Sequence, residues 1–516
     1  MHARRRPAVL SALIALGLLG PALAGARAPV RAWPDRLRPS SYGVQRTRWS
    51  VGVGARAFLA RPKSPARSLG SPTVLQAFDA IPRTGARWPG DPTGAEGDGW
   101  ILTAANGSFA LYDPSGEPVL GPSPYASLFR FPAGTDSFGA RVVYDQYRRT
   151  FVLAFLARSS PRRQSWILLV SIPDGSASDT TTWCGTRIVA DRLAGDGPQW
   201  AADPALGYDA GRVTLATDMR AFGGSEAFAY AQVLSIPKDG LYDCDRALTF
   251  DTMTGRATRN PDGSQAFGLR PAASVGPHPS AQYLVSFEPR ASALVLWRVR
   301  SSGTGASLAR VALPVERVRR APLGSQAGGA TEGARWRPGD LRPVNAFYDA
   351  VRGRVYAAHA IRRNLRPDPS TGHYVEAVVR WYEIRPRARI GESRVTRFGT
   401  VGAPETDAGW PAVATDGAGN LFVVYSRASE PDGEYLSTWV AVVPPRSTVA
   451  ETTLVAPGEA TFKATRGPEP WGTAAAITRD PGDPSRIAIV DQYARADRSG
   501  PTRDWQEVVA IVSAAS

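Results

Sequence analysis

Histidine-assisted nucleophilic catalysis needs Ser, His and Asp within hydrogen-bond reach of one another. Beyond the N-terminal segment the chain offers only His278, His359 and His373, each in a different stretch, and no G-x-S-x-G motif. A triad is recognised by geometry rather than by order, so sequence order does not decide against one, but no motif in the chain supports this chemistry. Glycoside hydrolysis asks instead for two positioned carboxylates, or for a tyrosine nucleophile with an acid partner. Arg, Tyr and Glu are plentiful, but S-x-D-x-G-x-x-W repeats are absent. The segment from Asp416 to Asn420 resembles them superficially and reads better as a hairpin turn, because Gly and Asn tolerate positive φ. Asp91, Glu96 and Asp98 cluster in a Gly-rich loop and offer hard oxygen ligands suited to calcium. They lack EF-hand spacing, and capping of turns is the competing account. No other cofactor or metal is expected.

A second pattern suggests binding. Trp100, Trp200, Trp410 and Trp471 stand just before or at the first strand of a recurring unit, and Arg141, Arg270 and Arg342 hold that place in three other units. Tryptophan stacks on sugar faces or packs against partner side chains, and arginine pairs with carboxylates. The seven residues are therefore expected to ring one mouth of a central channel. The competing reading makes the tryptophans wedges between sheets and the arginines caps of loops. Cys184 and Cys244 each follow a Ser-Ile-Pro segment in consecutive units, and in an oxidising compartment they are expected to form a disulfide between neighbours. No C-x-x-C spacing points to zinc or redox chemistry.

The unit that positions these residues is clearest at Arg141–Arg158, where two apolar bursts flank a polar turn containing Asp145. This predicts a β-hairpin with a short, buried first strand. Variants recur at 206–219, 346–361, 412–426 and 475–493, anchored by Asp209, Asp349, Asp416 and Asp480. Successive anchors lie 64, 140, 67 and 64 residues apart, so a degenerate unit without the aspartate is expected in the long gap, and 270–299 fills it. An earlier unit spans 91–116. A catalytic residue is needed once, whereas a turn aspartate accepting backbone N–H bonds is needed in most repeats. The aspartates are therefore read as structural.

Seven units of roughly 65 residues, each with room for four strands, match the pattern of propeller blades. The fold class expected is all-β, a single seven-bladed β-propeller of four-stranded antiparallel blades over 71–516. A ring removes exposed ends, and 71–81 is expected to close it by pairing beside 506–513.

The motifs carry a resemblance as well. DPTGAEGDGWILTAANGSFALYD, RVVYDQYRRTFVL, VRWYEI, GWPAVATDGAGNLFVVYS and WGTAAAITRDPGDPS occur in that order from about residue 73 to the C-terminus. In this the chain resembles a family of secreted bacterial seven-bladed β-propellers of unassigned biochemical function. Its final blade departs from the family's R-W-G-D-Y-S, since Pro470–Trp471–Gly472–Thr473 lacks both the Arg and the Asp.

Residues 1–24 read as a secretory signal peptide, with basic Arg4–Arg6, apolar Ala8–Leu19 and an Ala22–Leu23–Ala24 cleavage site. Residues 25–70 form an Arg/Pro-rich flexible leader. The formal charge of +15 comes almost wholly from arginine, with only Lys63, Lys238 and Lys463 as lysines. The arginines are scattered and accompany no nucleic-acid-binding motif. No later segment reaches membrane-spanning length. The expectation is a monomeric, exported binding scaffold, periplasmic or extracellular, whose partner is a protein or polysaccharide of the cell envelope. The competing classes are a glycan-active propeller enzyme and a structural surface-layer component. Convergent buried carboxylates with shifted pKa would mark the enzyme, and exposed aromatics without them the binding module.

Overall fold

The computed structural model describes residues 44–47, 70–83, 89–105, 107–191, 198–223, 226–279, 281–290, 292–302, 305–329, 334–364, 375–463, 471–496 and 504–515, all in the unit Trp33–Ser516. The expected signal peptide and most of the leader lie outside the described residues. Within the leader, Val44–Thr47 forms a strand, β1; β2 (Thr73–Pro82) follows. The later strands come in antiparallel groups. They are β3 (Thr93–Glu96), β4 (Ile101–Ala105), β5 (Ser108–Tyr112) and β6 (Pro118–Pro124), then β7 (Asp136–Asp145), β8 (Thr150–Ser159), β9 (Gln164–Pro173) and β10 (Cys184–Val189). Next come β11 (Gln199–Tyr208), β12 (Arg212–Ala221), β13 (Phe228–Pro237) and β14 (Asp251–Met253), with the short helix α1 (Lys238–Tyr242) between the last two. β15 (Arg270–Val275), β16 (Tyr283–Glu288), β17 (Ala293–Ser302) and β18 (Gly305–Pro314) precede β19 (Ala346–Asp349), β20 (Arg354–Arg363), β21 (Glu376–Arg385) and β22 (Arg394–Val401). β23 (Asp407–Thr415), β24 (Leu421–Ser429), β25 (Glu434–Val443) and β26 (Glu451–Ala456) lead to β27 (Ala476–Arg479), β28 (Arg486–Arg495) and β29 (Asp504–Ser513). The protein is all-β, made of four-stranded antiparallel sheets consistent with a propeller.

Residue pattern sets the place of each strand. β8 (TFVLAFLARS) and β9 (QSWILLVSIP) are almost continuously apolar and are buried along nearly their whole length, as strands covered on both faces must be. Fourth strands such as β22 alternate between exposed and half-buried positions. First strands touch their successors in a cycle: β3 with β7, then β11, β15, β19, β23 and β27, which returns to β3. The last group has only three strands of its own, and β2 supplies the fourth, antiparallel to β29 from Thr73 opposite Ser513 to Pro82 opposite Gln506. The pairing expected between 71–81 and 506–513 is present.

The anchor aspartates hold the first hairpins. Asp209 Oδ1 accepts the N–H groups of Gly211 and Arg212, both at 2.8 Å. Asp480 Oδ1 accepts those of Gly482 and Asp483, and Asp416 those of Asn420. Where the aspartate is missing, the first strand behaves differently. β15 pairs in parallel with β11 at Tyr208–Ala273 and with β19 from Ala272–Ala346 to Val275–Asp349, bridging its neighbours. Gly207 makes the approach feasible, because a Cβ there would lie 2.6 Å from the carbonyl of Ala272.

Cys184 and Cys244 are bonded, with Cα atoms 5.7 Å apart, and join β10 to the segment after α1. The helix α1 itself is held by buried Lys238, whose Nζ lies 2.7 Å from Asp145, and by the Tyr242 hydroxyl, which donates to Asp145 at 2.9 Å. The bond closes a span of 60 residues, which in a chain-entropy account contributes about 4 kcal/mol. A Cys184→Ser/Cys244→Ser variant should lose about 2–4 kcal/mol in urea unfolding; an unchanged midpoint would show that the ion pair and hydroxyl hold the segment unaided.

A carboxyl sits in the closing sheet. Glu507 on β29 is fully buried and accepts the Ile81 N–H at 3.1 Å, and burial pushes its pKa up to about 8. Such a group binds its proton more tightly folded than unfolded. Its contribution is complete below the ordinary value of 4.5 and is lost as pH rises through about 8. Melting temperature should accordingly fall between pH 5 and pH 9, less steeply in Glu507→Gln. Equal slopes in the two proteins would place the source elsewhere.

Candidate functional site

The first strands β3, β7, β11, β15, β19 and β27 line a central channel with a cavity volume of about 70 Å³. Arg141 and Arg270 line it toward the starts of the strands, and Tyr144, Gln146 and Arg479 toward their ends. What shapes the first end is a repeated β-bulge. The pairing register slips between Phe138 and Arg141 in β7, between Ala202 and Ala205 in β11, and between Gly409 and Ala412 in β23. At each slip one residue turns to positive φ: Gly139 (+63°), Asp203 (+50°) and Trp410 (+49°). All three stand six residues before their anchor aspartates, Asp145, Asp209 and Asp416. A bulge redirects side chains that a regular strand would send to alternating faces. β7 is also longer than the short first strand expected, because the bulge lets pairing continue back to Asp136.

The bulge in β11 delivers Asp203 into a cluster of arginines. Arg270 Nη2 donates to its two oxygens at 3.2 and 3.1 Å, while Arg270 Nε donates to the Pro343 carbonyl at 2.7 Å. Arg342 Nη1 pairs with Asp203 Oδ2, and Arg342 Nη2 with Asp340 at 2.5 Å. Burial alone would raise the Asp203 carboxyl, but Arg270, Arg342 and Arg141 outweigh it and hold the pKa below the ordinary value. Asp218 goes the other way. Burial, reinforced by the charge of Asp203, pushes it up to about 6, although it accepts the Gly268 N–H at 3.0 Å. Asp91 completes the group. It is raised by burial and accepts both the N–H and the hydroxyl of Thr473, at 2.5 and 3.0 Å.

Two guanidinium groups remain under-used. Arg141 donates to the carbonyl of Ala140 at 2.5 Å, and among the described residues it makes no ion pair; burial lowers its pKa. Arg270, only 2% exposed, has an Nη1 with no hydrogen-bond partner.

The three expected arginines are therefore brought together, and the four tryptophans are not. Trp100 lies in the turn after β3, where Gly97 N–H donates to its carbonyl, at the opposite end of a first strand from the arginines. The expectation that it precedes its first strand was wrong, because the strand is Thr93–Glu96. Trp200, Trp410 and Trp471 are buried. The Arg158 guanidinium covers the Trp200 ring at 4.0 Å. Trp410 Nε1 donates to the Arg337 carbonyl at 2.6 Å, and Trp471 Nε1 donates to Ser426 Oγ at 2.9 Å. These rings are wedges rather than stacking platforms. The calcium set does not converge either. Asp91 and Asp98 flank opposite ends of β3, Asp98 pairs with Arg149 at 2.6 Å, and among the described residues no three acidic, His or Cys side chains could hold a metal. Asp203, Asp218 and Asp340 were missed as site residues. The shared six-residue offset of Asp203 and Trp410 from their anchors was the signal that could have found the first.

No protein-family model matches the chain, and no curated protein matches it. Solved structures similar to it include a protein of unknown function from Dyadobacter fermentans, at 12% identity and TM-score 0.38, covering 74% of this chain and all of that one. A GH93 α-L-arabinofuranosidase of Fusarium graminearum gives 9% identity and TM-score 0.36, over 86% of this chain and 98% of the enzyme. A sialidase of Trypanosoma rangeli gives 8% and 0.35, over 77% of this chain and 57% of its own length. Likeness at this level assigns no activity here.

Removing the central carboxylate should be costly. Asp203→Asn leaves buried Arg270 without a carboxylate partner among the described residues, while Arg342 keeps Asp340, and breaking a buried pair in this way costs about 3–5 kcal/mol. Arg141→Ala, which breaks no ion pair, should cost far less in the same chemical unfolding experiment. Equal losses would contradict the charge arrangement described here.

Proposed function

We propose that the chain is an exported, monomeric, seven-bladed β-propeller that serves as a binding scaffold and holds a carboxylate of an envelope or extracellular partner in its central channel. The observation that carries this reading is the pair Arg141 and Arg270. One makes no direct ion pair among the described residues, although Asp91 and Asp203 share its surroundings; the other has a buried N–H group with no acceptor, and both line the channel. A ligand carboxylate would supply the missing acceptors, and charge-assisted bonds in a site shielded from water are the stronger kind. The partner class that fits is an acidic polysaccharide or a protein presenting a carboxylate. Export rests on the signal-like residues 1–24, together with the disulfide. Among the described residues no helix is long and apolar enough to cross a membrane.

A second reading has its own support. Asp203 is held low while Asp218 is raised to about 6, and carboxyls whose pKa values are pushed apart by their surroundings are the raw material of acid–base chemistry. The buried tryptophans also remove the exposed aromatics expected of a simple glycan-binding module. A glycan-active enzyme is thus the alternative.

Titration of the mature protein with oligogalacturonate and with a neutral oligosaccharide of equal length separates these outcomes. The scaffold reading predicts saturable binding of the acidic ligand only, weakened at least tenfold in a folded Arg141→Ala variant. Shortened oligosaccharide products would favour the enzyme, and binding unaffected by the substitution would remove the channel from the account.

A further inference from the structure

A separate surface lies on the outer rim, at β22. This strand ends its sheet: it pairs with β21 on one side, and among the described residues no strand pairs with the other. Beside it runs an open groove of about 780 Å³. Every residue from Val395 to Thr400 lines the groove. Neighbouring residues of a strand point to opposite faces, so a groove on one face would be lined by alternate residues only. Lining by both sets places the groove along the strand's edge, where its outward N–H and C=O groups lie.

The groove is also charged. Arg363, Arg380 and Arg397 line it with Glu316; Arg397 is paired with Glu383 at 2.9 Å and donates to the carbonyls of Pro444 and Ser447, which leaves Arg363 and Arg380 to set the groove's charge. Arg380 is 1% exposed at the floor, with Nε donating to Thr400 Oγ1 at 3.2 Å and Nη1 paired at 3.1 Å with Glu316, whose side chain is mostly exposed. The Phe398 ring lies 5.0 Å from the Arg380 guanidinium and is 44% exposed. Arg363 is exposed on the other side of Arg380 from Phe398 by the strand register.

The molecule already uses this kind of edge once. β1, from the leader, pairs antiparallel with the outer strand β10 from Val44–Ile188 to Thr47–Gly185, making that sheet five-stranded. An exposed strand edge is a template for further pairing unless something blunts it, and peptide recognition by strand addition draws affinity from the backbone and selectivity from side-chain sites spaced along the strand.

We propose that the open edge of β22 is a strand-addition site for an extended acidic peptide segment of a partner protein. The partner's backbone would continue the sheet beyond β22, its carboxylates would meet exposed Arg363 and displace Glu316 from Arg380, and an apolar residue on the far side of Arg380 from Arg363 would cover Phe398. This site is independent of the channel and stands whether or not the channel binds an anion.

The test uses the mature protein and three fluorescent ten-residue peptides: one alternating Glu with Val and Thr, the same sequence N-methylated at every second backbone nitrogen, and one with Lys in place of Glu. The acidic peptide should bind saturably, while the N-methylated and Lys peptides bind at least tenfold more weakly. Phe398→Ala and Arg363→Glu, both at exposed positions, should each weaken the acidic peptide about tenfold. Equal binding of the N-methylated peptide would overturn strand addition, as would equal binding of the Lys peptide. No binding of the acidic peptide, or an oligogalacturonate that binds in its place and depends on Phe398, would overturn the proposal as well.

Discussion

Ring closure is the constraint on which the rest depends. A four-stranded sheet with two apolar faces cannot bury both alone, so each must be covered by neighbours, and only a closed cycle leaves no sheet uncovered. Here the cycle is completed by residues more than 400 positions apart, β2 and β29. Closure puts the first strands around one axis. Side chains that would be harmless on a surface, such as Asp203 and Arg270, are thereby forced into one another's company with little water. Their pKa values and ion pairing follow from that confinement rather than from any local sequence feature.

The two ends of the first strands have different tasks. At the turn end the anchor aspartates are consumed by backbone N–H groups and by ion pairs such as Asp349 with Arg352 and Arg479. Asp145 pairs with buried Lys238 and accepts from Tyr242, tying two successive sheets together next to the disulfide. At the other end, bulges break the ladder and turn side chains toward the axis. Hydrogen-bonded and ion-paired aspartates are concentrated at one end, and the arginines Arg141 and Arg270 at the other. That division is what makes the bulged end the candidate for binding.

Much of this was legible in the residues. Hairpins with a fixed turn aspartate gave the repeat, the gap between Asp209 and Asp349 gave the unit that lacks it, and apolar 71–81 gave the closing strand. Arg141, Arg270 and Arg342 were found because residues at strand starts must approach the axis in any such ring. The tryptophans misled, because a ring that can stack on a sugar is equally suited to filling the space between sheets, and sequence does not distinguish the two. Trp100 was displaced because Thr93–Glu96 is the first strand, which leaves Trp100 in the turn before β4. Asp203 was hidden because a bulge shifts the face on which a residue lies, and an Asp followed by Pro looks like any loop.

The central claim is that the bulged end of the channel holds an anion between Arg141 and Arg270. Crystals of the protein soaked in bromide and measured at the bromine absorption edge test it most directly. The account predicts an anomalous peak in the channel within hydrogen-bond distance of both guanidinium groups. Bromide on exposed arginines with none in the channel would contradict it.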